Sequence, residues 1–237
     1  MSGEPAGRLV LVPTPVGNRE DLSPRALRAL AEADLVAAED TRHTGQLLSG
    51  LGLKARFLSF HEHNEERQLP RLLAALAAGQ RVALVSDAGT PGLCDPGFRA
   101  VRAALAAGHA VEALPGPTAL IPALVASGLP CERFVFEGYL PRKPGARAAA
   151  FAALATESRS TVFYETPHRL ARSLAELAAL LPERPVVVAR ELSKLHEEYW
   201  RGTAAALAAA LAGRSLRGEF VLVVGGQDAR LPAERLP

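Results

Sequence analysis

Cysteine and lysine are scarce in this chain, long apolar runs are missing, and so are several familiar nucleotide-binding signatures. Of 237 residues two are cysteine, Cys94 and Cys131. That is too few for a disulfide framework or a cysteine-based zinc site, and both read as buried or half-buried thiols. No stretch approaches the ~20 uncharged apolar residues that span a bilayer. The opening Met1-Ser2-Gly3-Glu4 lacks the charged and apolar regions of a secretory signal, so no membrane partner and a cytoplasmic location are expected. Only Lys54, Lys143 and Lys194 among the 27 basic residues are lysine. Arginine suits bidentate phosphate contacts, but a genome-wide codon bias produces the same excess. The net charge of +2 does not by itself establish a nucleic-acid partner. No G-x-G-x-x-G follows the first apolar run and no G-x-x-x-x-G-K-[ST] occurs, which argues against a dinucleotide Rossmann domain and a P-loop NTPase. A serine hydrolase lacks its G-x-S-x-G elbow.

What is present suffices for one large core or two small ones, since 49% of the residues are hydrophobic. Short β-rich runs at 9–12, 35–38, 56–59, 81–86 and 111–114 alternate with helical patterns. Phe98, Val101 and Leu105 share one helical face, as do Leu69, Leu72, Leu73 and Leu76, although Pro70 interrupts the second. After Gly128 and Pro130 further strands read at 134–137, 161–164, 186–190 and 220–224. A helix with Leu170, Leu174, Leu177 and Leu181 on one stripe lies among them. Ser23-Pro24, Asp95-Pro96 and Thr166-Pro167 are helix starts, each pairing a capping oxygen with a proline suited to the first turn. This alternation predicts an α/β fold with mainly parallel sheets. It divides into two α/β domains, 1–128 and 129–226, followed by a short polar tail, 227–237, that frays.

Polar segments fall where ligands bind in open α/β sheets, at the carboxyl ends of strands. Ser86-Asp87-Ala88-Gly89-Thr90-Pro91-Gly92 combines glycines that let a ligand approach the backbone with a carboxylate acceptor, though strand-to-helix turns favour the same residues. Leu114-Pro115-Gly116-Pro117-Thr118-Ala119 repeats the arrangement, and if its strand neighbours the previous one, both loops flank one crevice. Pro13-Thr14-Pro15-Val16-Gly17-Asn18 supplies a further wall. Glu39-Asp40-Thr41-Arg42-His43 is either a solvated helix start or a carboxylate and imidazole set for proton transfer. His61-Glu62-His63-Asn64 has the look of a metal pair without further ligands, and no metal is expected. Tyr139-Leu140-Pro141-Arg142-Lys143-Pro144-Gly145-Ala146-Arg147 reads as a loop whose cations suit phosphates, or as a solvated turn.

Together with Phe136-Glu137-Gly138, Tyr164-Glu165-Thr166-Pro167-His168-Arg169 and Arg190-Glu191-Leu192-Ser193-Lys194, these segments resemble, in order and spacing, the RsmI family of small-subunit ribosomal RNA 2′-O-methyltransferases within the tetrapyrrole methylase superfamily. The resemblance implies a class III methyltransferase fold of two α/β domains with S-adenosylmethionine in the cleft between them and S-adenosylhomocysteine as product. It implies methyl transfer to the 2′-hydroxyl of a cytidine in the decoding region, a small-subunit rRNA or assembled-subunit partner, and a homodimer. Carried over by position, Pro13, Asp87, Ala88, Gly89, Thr90, Thr118 and Ala119 hold the cofactor, joined by Tyr164, Leu192 and Glu219. Thr118 departs from the commoner serine, keeping a hydroxyl, and Thr166 from a usual serine or alanine. Glu39, His43 and Glu165 are candidates for the base or for substrate positioning, and Arg42, Arg142, Lys143, Arg147, Arg169 and Lys194 for RNA contacts. The competing readings are a precorrin-type C-methyltransferase of the same fold and a non-catalytic RNA-binding module.

Overall fold

In the computed structural model of the chain, residues 7–231 and 233–237 are described. Met1 to Glu4, read above for a targeting signal, and Pro232 of the expected tail lie outside them. The chain divides into two compact units, Met1–Thr118 and Ala119–Pro237. That division falls earlier than the boundary expected at residue 128, because the helix that opens the second unit packs on the second sheet. Its Leu120, Ala123 and Leu124 are buried with Val162, Val187, Val221 and Val223.

The first unit runs β1 (Arg8–Leu11), α1 (Pro24–Ala31), β2 (Leu35–Ala38), α2 (Thr41–Gly50), β3 (Phe57–Ser59), α3 (Glu65–Ala77), β4 (Arg81–Val85), α4 (Phe98–Ala106) and β5 (Ala110–Ala113). Its five strands are parallel in the order β3-β2-β4-β1-β5. The inner strands are near-continuous apolar runs because helices cover both faces. Alternation along β1 divides the core. Leu9 and Leu11 pack with Leu72 and Leu76 of α3 and Ala100 and Ala104 of α4. Val10 and Val12 pack with Ala26 and Leu30 of α1 and Leu48 of α2.

Ser23 caps α1 as the sequence suggests, its Oγ accepting from Ala26 N at 3.1 Å. The second expected start moves. Helix α4 begins at Phe98 behind Gly97, so Asp95 is not its cap. Helix α3 continues through Pro70, which lies on its exposed side while Leu72 and Leu76 hold the helix to the sheet.

The second unit runs α5 (Leu120–Val125), β6 (Phe134–Tyr139), α6 (Pro144–Ala153), β7 (Ser160–Glu165), α7 (Pro167–Leu180), β8 (Pro185–Arg190), β9 (Glu198–Thr203), α8 (Ala204–Leu211) and β10 (Phe220–Val224). Its sheet, ordered β6-β7-β10-β8-β9, is not mainly parallel. Only β6 and β7 run together; β10 is antiparallel to β7 and β8, and β9 to β8. The 191–197 link between β8 and β9 is too short for the crossover that a parallel pair requires. Phe151, Phe163, Leu170, Leu174, Leu177 and Leu222 centre its core.

Strand β9 was not anticipated, since Glu198-Tyr199-Trp200-Arg201 offers no apolar run. It forms the sheet edge, and the carboxyl-terminal segment covers it. Arg201 N donates to Arg235 O at 2.6 Å and Arg235 N to Arg201 O at 2.8 Å. This pairing holds the tail where fraying was expected, and shields an edge that is otherwise open to intermolecular pairing.

Arg147 is the other correction. It lies in α6, not in a loop, with its guanidinium buried. Nε and Nη2 each reach a Glu176 oxygen at 2.7 Å, and Nη1 donates to Pro141 O at 3.0 Å and Arg142 O at 3.1 Å. These bonds tie α6 to α7 and close the 140–143 turn, so Arg147 is unavailable to RNA. Arg142 and Lys143 stay exposed. Without Arg147 the Pro141 and Arg142 carbonyls lose their donor, while Glu176 keeps Arg172 Nε at 2.9 Å. Arg147→Met is therefore expected to lower stability by about 1–3 kcal/mol in urea denaturation; an unchanged midpoint would show that the fork contributes nothing.

Candidate active site

Strand β1 lies between β4 and β5. The two glycine-containing loops are thus not on neighbouring strands, as was entertained, but on either side of the loop that follows β1. All three interlock. Thr14 N donates to Gly89 O and Gly89 N to Thr14 O, both at 2.9 Å. Buried Thr14 Oγ1 donates to Ser86 O at 3.1 Å. On the other side Thr90 Oγ1 donates to Pro117 O at 2.9 Å.

Two glycines make this closeness possible. Gly89 has φ +82°, a left-handed conformation in which a side chain is strained. At Gly116 a Cβ would stand 2.7 Å from Pro13 Cβ, so no side chain fits between these loops. Pro13, Asp87, Gly89, Thr90 and Thr118 are thereby gathered at one end of one sheet, with Ala88 exposed beside them.

Carboxylates collect along the same edge. Asp87 Oδ1 accepts from Asp40 N at 3.0 Å, linking the ends of β4 and β2. Burial holds the Glu39 carboxyl above its usual range, and the neighbouring Asp87 charge adds to this. Asp95 was missed as a site residue because Asp-Pro reads as a helix cap. With α4 starting later, it is left partly buried, and burial together with the Glu39 charge pushes it up to about 7, against a hydrogen bond from Ser86. Shifts of this kind, from desolvation plus specific like charges, mark sites where protons are moved or cations held.

Asp40 itself caps α2, accepting from Arg42 N at 2.8 Å, and pairs with the Arg42 guanidinium at 3.1 Å. His43 follows in the same exposed first turn. The His61 and His63 rings sit edge to face at 6.1 Å, and Asn64 folds that segment, its Oδ1 accepting from His61 N at 2.9 Å. Among the described residues no group of three or more His, Cys, Asp or Glu converges as metal ligands.

In the second unit Glu165 is buried with both oxygens engaged. Oε1 accepts from Thr166 N at 2.8 Å and faces Arg169 Nε at 3.2 Å, while Oε2 accepts from Ser173 Oγ at 2.7 Å. It fastens the first turns of α7 in place of a Thr166 side-chain cap, which is not made. Arg169 also donates to Leu140 O, holding the 140–142 turn.

Tyr164 stacks edge to face with Phe136 at 5.0 Å and Tyr139 at 5.6 Å. Beyond β8, Glu191 and Ser193 are non-glycine residues with φ 51° and 66°. Such strain persists only where surroundings enforce it. Here Glu191 Oε1 accepts from Glu219 N at 2.9 Å and Lys194 Nζ at 3.0 Å, and Lys194 also meets Glu219 Oε2 at 3.1 Å. Leu192, between them in sequence, is buried in the second unit's core. Ala119 precedes α5 as its amino-terminal flank.

A family model for Tetrapyrrole (Corrin/Porphyrin) Methylases matches residues 8–208. The ribosomal RNA small subunit methyltransferase I of Synechocystis sp. is 49% identical over 221 residues, covering 93% of this chain and 79% of its own length. Its namesake from Escherichia coli O157:H7 is 48% identical over 236 residues, covering 97% and 82%. A uroporphyrin-III C-methyltransferase from Thermus thermophilus, solved with S-adenosylhomocysteine, superposes with a TM-score of 0.64 at 23% identity, covering 92% and 97% of the two chains.

The raised Asp95 carboxyl has a consequence for stability. Between its ordinary value of 3.8 and about 7 the folded chain keeps a proton that the unfolded chain has released. Stability therefore falls as pH rises through that window and levels off above it. Asp95→Asn is expected to flatten the profile and to be more stable than the parent at pH 8, read by urea denaturation between pH 4 and 8. Parallel profiles for the two proteins would contradict this.

Proposed function

Because the chain belongs to the tetrapyrrole methylase family, and within it to the ribosomal RNA small subunit methyltransferases I, we propose that it methylates the 2′-hydroxyl of a cytidine in the decoding region of small-subunit rRNA. The methyl donor is S-adenosylmethionine, and S-adenosylhomocysteine is the product. The observation that carries the reading is the Thr14–Gly89 interlock, in a chain nearly half identical to named rRNA methyltransferases over almost its whole length.

The residues fit such a donor. Gly89 and Gly116 leave backbone open where a side chain is strained or has no room, and Asp87 places a carboxylate beside a ligand with ammonium, sulfonium and hydroxyl groups. Pro13, Asp87, Ala88, Gly89, Thr90, Thr118 and Ala119 are the residues assigned to it, and the resemblance adds Tyr164, Leu192 and Glu219. When bound, the sulfonium supplies an electrophilic methyl carbon.

The protein's own task is to align the ribose and take its proton. A ribose hydroxyl is a weak nucleophile until its proton has an acceptor. Glu39 is the base: its raised carboxyl is a stronger acceptor than an ordinary glutamate. The 2′-oxygen would gain the methyl group as the carbon–sulfur bond of the donor breaks to leave S-adenosylhomocysteine, and the hydroxyl proton would pass to the Glu39 carboxylate. Glu165, with both oxygens engaged, orders α7 and the turn carrying Arg142 and Lys143. Exposed Arg42, His43, Arg142 and Lys143 meet phosphates or base edges, while Arg169 holds the 140–142 turn and Lys194 the 191–194 loop.

The enzyme acts as a cytoplasmic homodimer. Phe98 and Leu105, 65% and 58% exposed on α4, supply apolar surface for a second copy. Among the described residues no helix is long and apolar enough to cross a membrane.

Undermethylated small subunits incubated with tritiated S-adenosylmethionine are expected to accept label, recovered as 2′-O-methylcytidine by mass spectrometry. Glu39→Gln is expected to cut kcat by about 10²-fold or more with donor affinity nearly unchanged. Label transferred to a porphyrinogen and not to RNA would overturn the functional reading. Full turnover by Glu39→Gln would remove Glu39 as base.

A further inference from the structure

We propose that an arginine-lined groove on the first unit, on the sheet face that α1 covers, binds phosphodiesters of the RNA substrate; the inference rests on the rRNA reading above. The groove encloses about 530 Å³ between α1 and the exposed edge strand β5. It exists because β5 is the last element of its unit, so no further helix of that unit lies beside α1. Arg8 of β1, Arg81 of β4 and Arg25 and Arg28 of α1 line it, with Glu32 and Glu112. Residues 25, 28 and 32 fall on one helical face.

Charge in the groove is not balanced. Glu112 is shared by Arg8, at 3.1 Å, and Arg25. Arg81 pairs with Glu32 at 2.5 Å. Arg28 has no carboxylate partner among the described residues. Four guanidinium groups against two carboxylates leave an excess equal to the net charge of the entire chain, +2, in one concave surface. A concavity with excess charge of one sign focuses its field on an incoming ion. Guanidinium forks match the paired oxygens of a phosphodiester, and arginine is weakly hydrated enough to give up water for one. The strand ends that frame the basic mouth, at Arg8 and Arg81, are opposite to those carrying the interlocked loops. The groove therefore contacts RNA away from the reacting ribose and sets how the substrate is held, not the chemistry.

The test is the double variant Arg25→Ala/Arg28→Ala, with Arg67→Ala on α3, on the opposite face of the sheet, as control. Binding of a labelled decoding-region RNA fragment is followed by fluorescence anisotropy across a salt series. Donor affinity by calorimetry shows that the variant is folded, and sedimentation gives its oligomeric state. The double variant is expected to bind RNA about tenfold more weakly near 0.15 M salt, with a log–log salt slope shallower by about one to two, because each lost phosphate contact releases fewer counterions. Donor affinity and oligomeric state are expected to match the parent, and Arg67→Ala to leave RNA binding alone. RNA affinity and slope equal to the parent's would overturn the proposal. So would weaker binding accompanied by a changed oligomeric state, which would make the groove a subunit contact. Failure of the functional reading looks different: the unsubstituted protein would then transfer no methyl to small subunits.

Discussion

Two backbone hydrogen bonds between Thr14 and Gly89 fix the geometry on which the proposed site depends. They join the loop after β1 to the loop after β4, and because β1 is the middle strand of the three, its loop is the one that both others touch. On one side Thr14 Oγ1 reaches Ser86; on the other Gly116 lies against Pro13 with no space for a methyl. The Thr90 bond to Pro117 completes the ring. Buried hydrogen bonds of this kind are stronger for lying out of water, and costly if broken. The sheet thus delivers three loops as one rigid surface.

That surface carries a cost in electrostatics. Glu39 is held above its ordinary range by burial and the Asp87 charge, and Asp95 by burial and the Glu39 charge, so the native state is destabilised as they ionise. Stability set aside for proton chemistry or cation binding is a common property of active sites. In the second unit the cost is conformational: Glu191 and Ser193 occupy left-handed conformations, held by the Lys194 and Glu219 network. Gly218 favours glycine there, with φ +103° and a Cβ that would displace the Glu191 side chain, 2.7 Å away.

Much of the first unit was legible because its signals are local. Apolar runs set its strands, Ser23-Pro24 set the start of α1, and glycine- and proline-rich loops marked the strand ends. The second unit was harder for physical reasons. Strand β9 gains its place from pairing along β8 and from burial of Trp200, not from its own pattern. The tail is ordered by the open edge of that strand. Sequence assigned Arg147 by its charge and neighbours, whereas its role depends on Glu176, a partner on another helix. Asp95 was hidden for a similar reason: where α4 begins decides whether this carboxylate caps a helix or joins Glu39, and Asp-Pro alone suits both.

The central claim is that the left-handed turn at Gly89, locked to Thr14, shapes the surface that holds the methyl donor. Gly89→Ala isolates it. A methyl there would find Val16 Cγ1 at 3.5 Å and Thr118 Cα at 3.9 Å, ordinary contacts, so only the backbone angle of +82° is opposed. Left-handed backbone costs a residue with a Cβ about 1–2 kcal/mol, and the loop relieves it by leaving the bound geometry. Calorimetric titration with S-adenosylmethionine is predicted to show affinity reduced by about tenfold, with the rest of the fold retained by circular dichroism. Affinity equal to that of the unsubstituted protein would contradict the account.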